Sequence, residues 1–257
     1  MSSPELAAIK LEQLELNRAD ESALARADVV VAVGVQSAQA ALSLSKKPVL
    51  AVMLSETSFQ ELASRFPQAS LAGIVLDQPV TRQLGLFKAL WPDKKSVGVL
   101  LGAQGSVLQE DFQKASSALG LPLKLGFLQG TQGSVPILEA LMEGRDAIIA
   151  PWDRDAFNVQ NARVILLTTY RAGLPLLAYS AATVEAGALA AVFSTPENIA
   201  QQLAEWLTQQ KTSAITLPKS RIPRYFDVAL NKQVARSLSM SIPDRETVLQ
   251  RMREVEP

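Results

Sequence analysis

Short loops of small and polar residues carry most of the chemistry that this sequence offers. Six of them follow apolar runs, at 34–37, 54–58, 102–106, 129–134, 151–155 and 179–185. Such loops place backbone N–H groups at helix starts, where the helix dipole favours a carboxylate or phosphate. The same residue types also suit any tight strand-to-helix turn. Each loop therefore has two interpretations, an anion-binding site and an ordinary turn.

Two of these loops add aromatic and acidic side chains. Trp152 and Asp153 directly follow a buried run, and Tyr179 and Glu185 bracket a later loop. An aromatic ring there is able to cover an apolar ligand group, and a carboxylate is able to pair with an ammonium. The alternative is a ring that covers its own lobe beside a solvated acid. Both interpretations stay open.

The composition removes whole classes of catalyst. The chain of 257 residues contains no cysteine and no histidine. Structural zinc sites of the usual kind, thiol chemistry and Ser-His-Asp systems are therefore excluded. No pair of carboxylates stands out for acid–base work. We expect a protein that is not an enzyme, with no cofactor and no metal; a carboxylate-based enzyme is the less favoured alternative.

Charge and hydropathy also limit the partners. Lys plus Arg equals Asp plus Glu, at 25 each, and no basic run exceeds Lys94-Lys95. A nucleic-acid partner is disfavoured because such proteins carry a basic patch. No apolar run approaches the roughly 18 residues that span a bilayer, so we expect no direct membrane insertion. The first ten residues show no signal-peptide pattern.

The fold that must position these loops is α/β. Apolar runs alternate with helix-length segments, which is typical of βαβ units in Rossmann-like, doubly wound parallel sheets. The predicted strands are 8–16, 28–34, 48–54, 71–76, 96–102, 121–128, 146–150, 174–179, 187–193 and 225–230. The predicted helices are 36–45, 57–66, 80–91, 106–119, 134–143, 156–172, 196–210 and 231–239.

Ten strands suit two sheets better than one. A break near Trp91-Pro92 and an aperiodic segment at 211–224 predict that the chain crosses between two lobes. The first lobe is predicted to comprise 1–92 and 188–220, and the second 93–187 and 221–257. In such lobes ligands bind at the carboxyl ends of the parallel strands, which is where the polar loops lie.

From Asp28 onward the chain resembles the ABC-transporter substrate-binding family that includes tryptophan- and tyrosine-type binding proteins. The resemblance is carried by DVVVAVGVQSAQAAL, LAGIVLDQPVTRQLGLFKALWPDKKSVGVLLG, GLPLLAYSAATVEAGALAAV and FDVALNKQVARSLSMSIP. It implies a type I periplasmic-binding-protein-like fold with two lobes hinged around a ligand cleft. It also implies an ABC permease as partner and a periplasmic or cell-envelope location.

The family's loops and the strand-end positions together single out nine residues of this chain. The predicted ligand-binding residues are Gln36, Ser37, Ser55, Gln104, Ser106, Trp152, Asp153, Tyr179 and Glu185. We expect helix starts to bind an anionic group, Asp153 or Glu185 a cationic group, and Trp152 or Tyr179 an apolar group. The expected ligand is a small polar organic molecule, for which an amino acid is one candidate.

The chain departs from the family's pattern in two places. Ser55-Glu56-Thr57 stands where the family usually has Asp-Pro, which puts the ligand type in doubt. The sequence also begins at what resembles the family's second strand, so the first strand and helix are expected to be missing from lobe 1, which would leave a gap or require a partner or a rearrangement. A ligand-sensing or effector domain on the same fold is the main alternative function, because a fold alone does not fix function.

Overall fold

The structure is a computed structural model and describes residues 9–18, 20–128, 133–210 and 215–254. The strands are β1 (Val30–Val33), β2 (Val49–Leu54), β3 (Leu71–Val75), β4 (Val97–Gly102), β5 (Leu123–Leu128), β6 (Ala147–Ile149), β7 (Leu176–Ala178), β8 (Ala190–Phe193) and β9 (Asp227–Leu230). The α-helices are α1 (Glu21–Ala25), α2 (Val35–Leu44), α3 (Glu56–Arg65), α4 (Val80–Leu90), α5 (Gln109–Ala118), α6 (Ser134–Met142), α7 (Val159–Arg171), α8 (Ala181–Glu185), α9 (Pro196–Thr208), α10 (Lys232–Ser237) and α11 (Arg245–Glu254). Two short 3-10 helices lie at Leu16–Arg18 and Gln104–Leu108.

The chain divides into two compact units, each with its own sheet. Unit 1 comprises Met1–Asp77 and Ser194–Phe226, and unit 2 comprises Gln78–Phe193 and Asp227–Pro257. This α/β architecture with two largely parallel sheets is the fold class that the alternation of strands and helices predicts.

Unit 1 is built on three parallel strands in the order β1-β2-β3. The central strand β2 reads VLAVML and is buried on both faces, as a strand inside a parallel sheet must be. Residues of α2 and α3 pack with alternate β2 residues on one face. Ile199 and Trp206 of α9 pack with Leu50 and Val52 on the other. The sheet of unit 1 therefore lies between two apolar layers.

Unit 2 contains a six-stranded sheet in the order β5-β4-β6-β7-β8-β9. All its strand pairs are parallel except β8 with β9, which is antiparallel. Its core includes Leu100, Leu138, Ile148 and Ile165, each with essentially no exposed surface. The adjacent order β4-β6-β7 brings the carboxyl ends of these three strands to one edge of the sheet.

The boundaries of the two units differ from the predicted lobes in both directions. Residues 188–193 were predicted to lie in lobe 1, but β8 pairs with β7 and β9 in unit 2. Residues 78–92 also belong to unit 2, where Arg251 donates a hydrogen bond to the Ala89 carbonyl at 2.9 Å. Residues 221–226 belong to unit 1, since Val75 donates to the Arg221 carbonyl.

Two local predictions also need correction. No strand forms at 9–15, the described part of the predicted strand 8–16, because these residues find no paired neighbour and are almost all exposed. Helix α3 begins at Glu56 rather than at Thr57, because the Ser55 side chain accepts the Ser58 N–H as N-cap. By contrast, Thr195 caps α9 in front of Pro196, as predicted.

Candidate functional site

The loop after β6 is fixed by one buried carboxylate. Asp153 is 6% exposed, and its oxygens accept hydrogen bonds from the N–H groups of Gly102 (2.7 Å), Asp155 (2.9 Å) and Ala156 (3.1 Å). Gly102 is the last residue of β4, so this carboxylate joins the carboxyl ends of β4 and β6. A hydrogen bond to an ionised acceptor is roughly twice as strong as a neutral one.

Two glycines make room for this carboxylate. A Cβ atom added to Gly102 or to Gly105 would lie closer than 3.0 Å to an Asp153 oxygen, and at Gly102 also to the Ala156 nitrogen. Real Cβ atoms do not approach so closely, so a larger residue at either position forces the loop to move. The loops after β4 and β6 thus form one tightly packed structure.

Trp152 lies on this structure with its ring partly in solvent. Its side chain is 38% exposed, and its ring meets Tyr179 edge-on at a centroid distance of 5.0 Å. Tyr179 in turn meets the buried Phe157 at 5.5 Å, nearly perpendicular. Edge-to-face aromatic pairs of this kind are stabilised by the ring quadrupole. Burial raises the pKa of the Tyr179 phenol, against a hydrogen bond with Thr183 that lowers it.

The corresponding end of unit 1 is built from charges. Glu56, the first residue of α3, accepts hydrogen bonds from Arg221 Nε (2.9 Å) and Nη2 (2.6 Å) on its two oxygens. Arg221 also lies over the Phe59 ring at 4.8 Å. Asp77 follows β3 and accepts the Glu56 N–H at 2.7 Å. The ends of β2 and β3 are joined through these three residues.

The pKa values of the two carboxylates in this cluster are shifted in opposite directions. The Arg221 hydrogen bonds lower the pKa of Glu56, against partial burial. Burial raises the pKa of Asp77, against the hydrogen bonds that its carboxylate accepts from backbone N–H groups, and the charge of Glu56 adds to the rise. Arg221 already pairs with Glu56, and among the described residues no cationic side chain forms a salt bridge with Asp77. A cation placed beside Asp77 would relieve the cost of burying its charge.

The chain shows a clear match to one protein family. The sequence pattern described as "ABC transporter substrate binding protein" matches residues 16–255. The chain belongs to this family. A search of curated proteins finds no match.

Solved structures of similar fold are more distant in sequence. An ABC domain from Streptococcus pneumoniae in complex with L-Trp is 21% identical, with a TM-score of 0.59, and the match covers 90% of this chain and 82% of that chain. A conserved domain protein from Vibrio cholerae is 23% identical, with a TM-score of 0.60 and coverage of 87% and 77%. The ligand-free, open substrate-binding protein with adhesive properties from Clostridium difficile is 19% identical, with a TM-score of 0.68 and coverage of 88% and 78%. At these identities the likeness shows a shared fold.

Four predicted helix-start residues of this substrate-binding protein lie in α2 and in the 3-10 helix after β4. Gln36 and Ser37 are the second and third residues of α2, exposed and half-buried respectively, and Gly34 caps that helix without a side chain. Gln104 and Ser106 lie in the 3-10 helix that follows β4; their side chains lie outside the described part of the chain. Residues 129–132 of the next predicted loop also lie outside the described residues.

Glu185 lies away from the aromatic cluster in unit 2. It is the last residue of α8, whereas Tyr179 precedes that helix. Its exposed side chain lines a surface groove of about 480 Å³ with residues of β9, Lys232 and the start of α11. Of the predicted site residues in unit 2, the described contacts therefore join Trp152 with Tyr179 and place Glu185 on a different surface.

Asp77, Glu56 and Arg221 were not among the predicted site residues. Asp77 directly follows the predicted strand 71–76. The rule that ligands bind at the carboxyl ends of parallel strands was therefore sufficient to find it. Arg221 gave no such signal, because its position beside Glu56 follows only from the path of 215–226 along β3. Glu56 lies in the candidate loop 54–58 and in the segment that departs from the family's pattern, but it was not predicted as a site residue.

Over the described ranges, no group of three or more His, Cys, Asp or Glu side chains is arranged to hold a metal ion. Within the same ranges, none of the helices has the length and apolar character needed to cross a bilayer.

Proposed function

We propose that this protein is the substrate-binding component of an ABC importer and binds a small amino-acid-like molecule at the carboxyl ends of its parallel strands. Family membership supports the transport role, with an ABC permease as partner and a periplasmic or cell-envelope location. Binding without chemical change is part of the proposal. Enclosure of the ligand between the two units stays a prediction from the sequence.

The observation that carries the proposal is the exposed ring of Trp152. A large aromatic side chain costs free energy when it is left in water, and burying it is worth about 1.5–3 kcal/mol. Here it is 38% exposed at a strand end, on a loop that Asp153 and two glycines hold rigid. Rigid support is what a binding residue needs, because little entropy is lost when the ligand arrives. The ring suits an apolar or aromatic part of the ligand.

Polar groups for the rest of the ligand come from two kinds of position. The start of α2 offers backbone N–H groups to an anionic group, since Gly34 supplies no side-chain cap. Asp77 offers its negative charge to an ammonium. Each of these groups, and the Trp152 ring, suits one part of an amino acid with an apolar side chain. Ser55, Gln104, Ser106 and Glu185 are retained as secondary candidates.

Asp153 is assigned a different role from the one its position first suggested. The sequence predicts that this carboxylate pairs with a ligand ammonium, but both its oxygens accept backbone N–H groups. We therefore propose that Asp153 positions the loop carrying Trp152.

Calorimetry on two matched variants tests the proposal. L-tryptophan, L-tyrosine, L-lysine and glycine serve as first probes, chosen because one structural neighbour is a complex with L-Trp. Trp152→Ala is expected to weaken binding of the aromatic probes by about 1–3 kcal/mol, roughly 5- to 150-fold. Leu167→Ala is the control, because Leu167 is similarly exposed, at 42%, on α7. Equal affinity in Trp152→Ala and the unmodified protein would remove Trp152 from the site, and turnover of a bound probe would contradict the transport role.

A further inference from the structure

Unit 1 contains a small pocket beside the beginning of β3. Its volume is about 200 Å³, and the first two residues of β3, Leu71 and Ala72, contribute to its lining. The rest of the lining comes from the middle and end of α3, the turn that follows this helix, and the segment 218–221. Asp77, by contrast, follows the last residue of β3. The pocket is therefore distinct from the ligand groups proposed at the strand ends.

Two phenylalanine rings give the pocket an apolar interior. The Phe59 ring packs directly on the backbone of Gly73, where an added Cβ atom would lie 2.6 Å from it, and the Arg221 guanidinium lies over the same ring at 4.8 Å. Phe66, the residue that ends α3, is partly exposed. An engineered apolar cavity of about 150 Å³ binds benzene. This pocket therefore has room for one six-membered ring with a small substituent.

The polar part of the lining is cationic. Glu56 is bonded to Nε and Nη2 of Arg221, so it leaves the Nη1 group unused. Lys219 is exposed, and within the part of the chain that the structure describes it forms no hydrogen bond or salt bridge. The described lining contains these two cations and no carboxylate. Because Glu56 balances only one of the two charges, the pocket favours an anionic ligand.

We propose that this pocket binds a small aromatic carboxylate, with its ring against Phe59 and Phe66 and its carboxylate at Lys219 and Arg221 Nη1. Helix α3 sets this direction. Phe66 lies at the carboxyl end of the helix, where the helix dipole disfavours an anion. Phe59 and the guanidinium above it lie seven residues earlier, about 10 Å along the helix axis. The site uses none of the groups assigned to the transported ligand, so it stands independently of the proposed function.

An NMR titration of the isotope-labelled whole chain with benzoate tests the charge of the site. Benzoate is expected to bind saturably and to shift the Phe59 and Ala63 amide signals. Benzyl alcohol, which has the same ring and no charge, should bind about fivefold more weakly. Lys219→Gln should weaken benzoate binding about two- to fivefold, the range for a solvent-exposed ion pair. Lys46→Gln is the matched control, because Lys46 is an exposed lysine of the same unit outside the pocket lining, and it should leave binding unchanged.

A second variant tests the position of the site. Ala63→Leu places a larger side chain in the pocket and should weaken benzoate binding at least about tenfold, whereas Ala40→Leu, at a half-buried alanine of α2, should not. Lys219→Gln changes only an exposed side chain, so it decides the matter if Ala63→Leu does not fold. Absence of saturable benzoate binding would overturn the proposal, as would equal affinity for benzyl alcohol. Benzoate binding that Trp152→Ala abolishes and Ala63→Leu leaves intact would also overturn it, because the ligand would then lie at the strand ends of unit 2.

Discussion

The two units secure the carboxyl ends of their strands by different means. In unit 2 a single buried carboxylate, Asp153, accepts three backbone N–H groups and joins β4 to β6. In unit 1 a bidentate ion pair between Arg221 and Glu56 does the joining, with Asp77 bonded to the Glu56 backbone. The first arrangement is buried, whereas the second is partly exposed and joins residues that are further apart in sequence.

The difference decides which groups are left for a ligand. In unit 2 the carboxylate is used by the backbone, so what remains at the surface is the Trp152 ring. In unit 1 the guanidinium is used by Glu56, so what remains is the negative charge of Asp77. An apolar surface and an anionic group are therefore offered by separate units. The comparison implies that changes at unit 2 should affect stability and aromatic ligands, and changes at unit 1 should affect pH dependence and cationic groups.

The largest effect is expected from Asp153→Ala. The variant leaves the Gly102, Asp155 and Ala156 N–H groups without their acceptor in a buried loop, which should lower the free energy of unfolding by about 3 kcal/mol. Because the loop also carries Trp152, affinity for L-tryptophan should fall with it. Urea unfolding and calorimetry measure the two effects.

Asp146→Ala is the matched control for this variant. Asp146 lies at the other end of β6, where its carboxylate accepts the Lys95 and Ser96 N–H groups at 3.0 Å each. Its side chain is 31% exposed, so its removal should cost only about 1 kcal/mol. L-tryptophan affinity should not change. Equal losses of affinity in the two variants would mean that Asp153 acts through general stability alone.

Much of the fold could be predicted from local sequence, because buried parallel strands are nearly continuous apolar runs. The runs around Val49–Leu54 and Val97–Gly102 became β2 and β4 within a residue of the predicted bounds. The same rule wrongly predicted a strand at 8–16. A strand needs a hydrogen-bonded neighbour, and no property of the segment itself reveals whether one is present.

The site was only partly predictable, because strand-end position is a local property and side-chain pairing is not. Trp152 and Tyr179 were singled out from their loops, yet their contact depends on β6 and β7 lying side by side. The use of Asp153 by the Gly102 backbone could not be foreseen, since 51 residues separate them. The same applies to Arg221 and Glu56, which are further apart still.

A smaller, pH-dependent effect is expected from Asp77→Asn. Burial raises the pKa of Asp77 above its ordinary value of 3.8. The folded protein therefore keeps the Asp77 carboxyl protonated at pH values where the unfolded chain has already lost that proton. The contribution of Asp77 to the free energy of unfolding declines as pH rises from the ordinary pKa to the higher pKa of the folded state. Asparagine removes the charge and keeps an acceptor for the Glu56 N–H. The variant should gain stability relative to the unmodified protein as pH rises above 3.8.

Glu56→Gln provides the contrast, because the pKa of Glu56 is lowered by its Arg221 hydrogen bonds. The contribution of ionised Glu56 to the free energy of unfolding is present above its ordinary pKa of 4.5. It is lost as pH falls through the lower pKa of the folded state. The two variants should thus change the pH dependence of thermal unfolding in opposite directions. Asp77→Asn should also weaken binding of L-tryptophan and leave binding of its deaminated analogue, indole-3-propionate, unchanged. An equal effect on both probes would remove Asp77 as the ammonium partner.

The smallest effect is expected for the Glu56–Arg221 ion pair itself. Both side chains are 36% exposed, and ion pairs at such positions contribute little because water screens them. The bidentate geometry should still give a coupling of about 0.5–1 kcal/mol in a double-mutant cycle of Glu56→Gln and Arg221→Gln. The Glu205–Arg224 pair, joined by a single contact at 2.9 Å with Arg224 65% exposed, is the control in the same unit. Its coupling should be about 0.3 kcal/mol or less. If the two couplings are equal, the ion pair does not secure the strand ends of unit 1, and the apolar packing of Arg221 on Phe59 would carry that role instead.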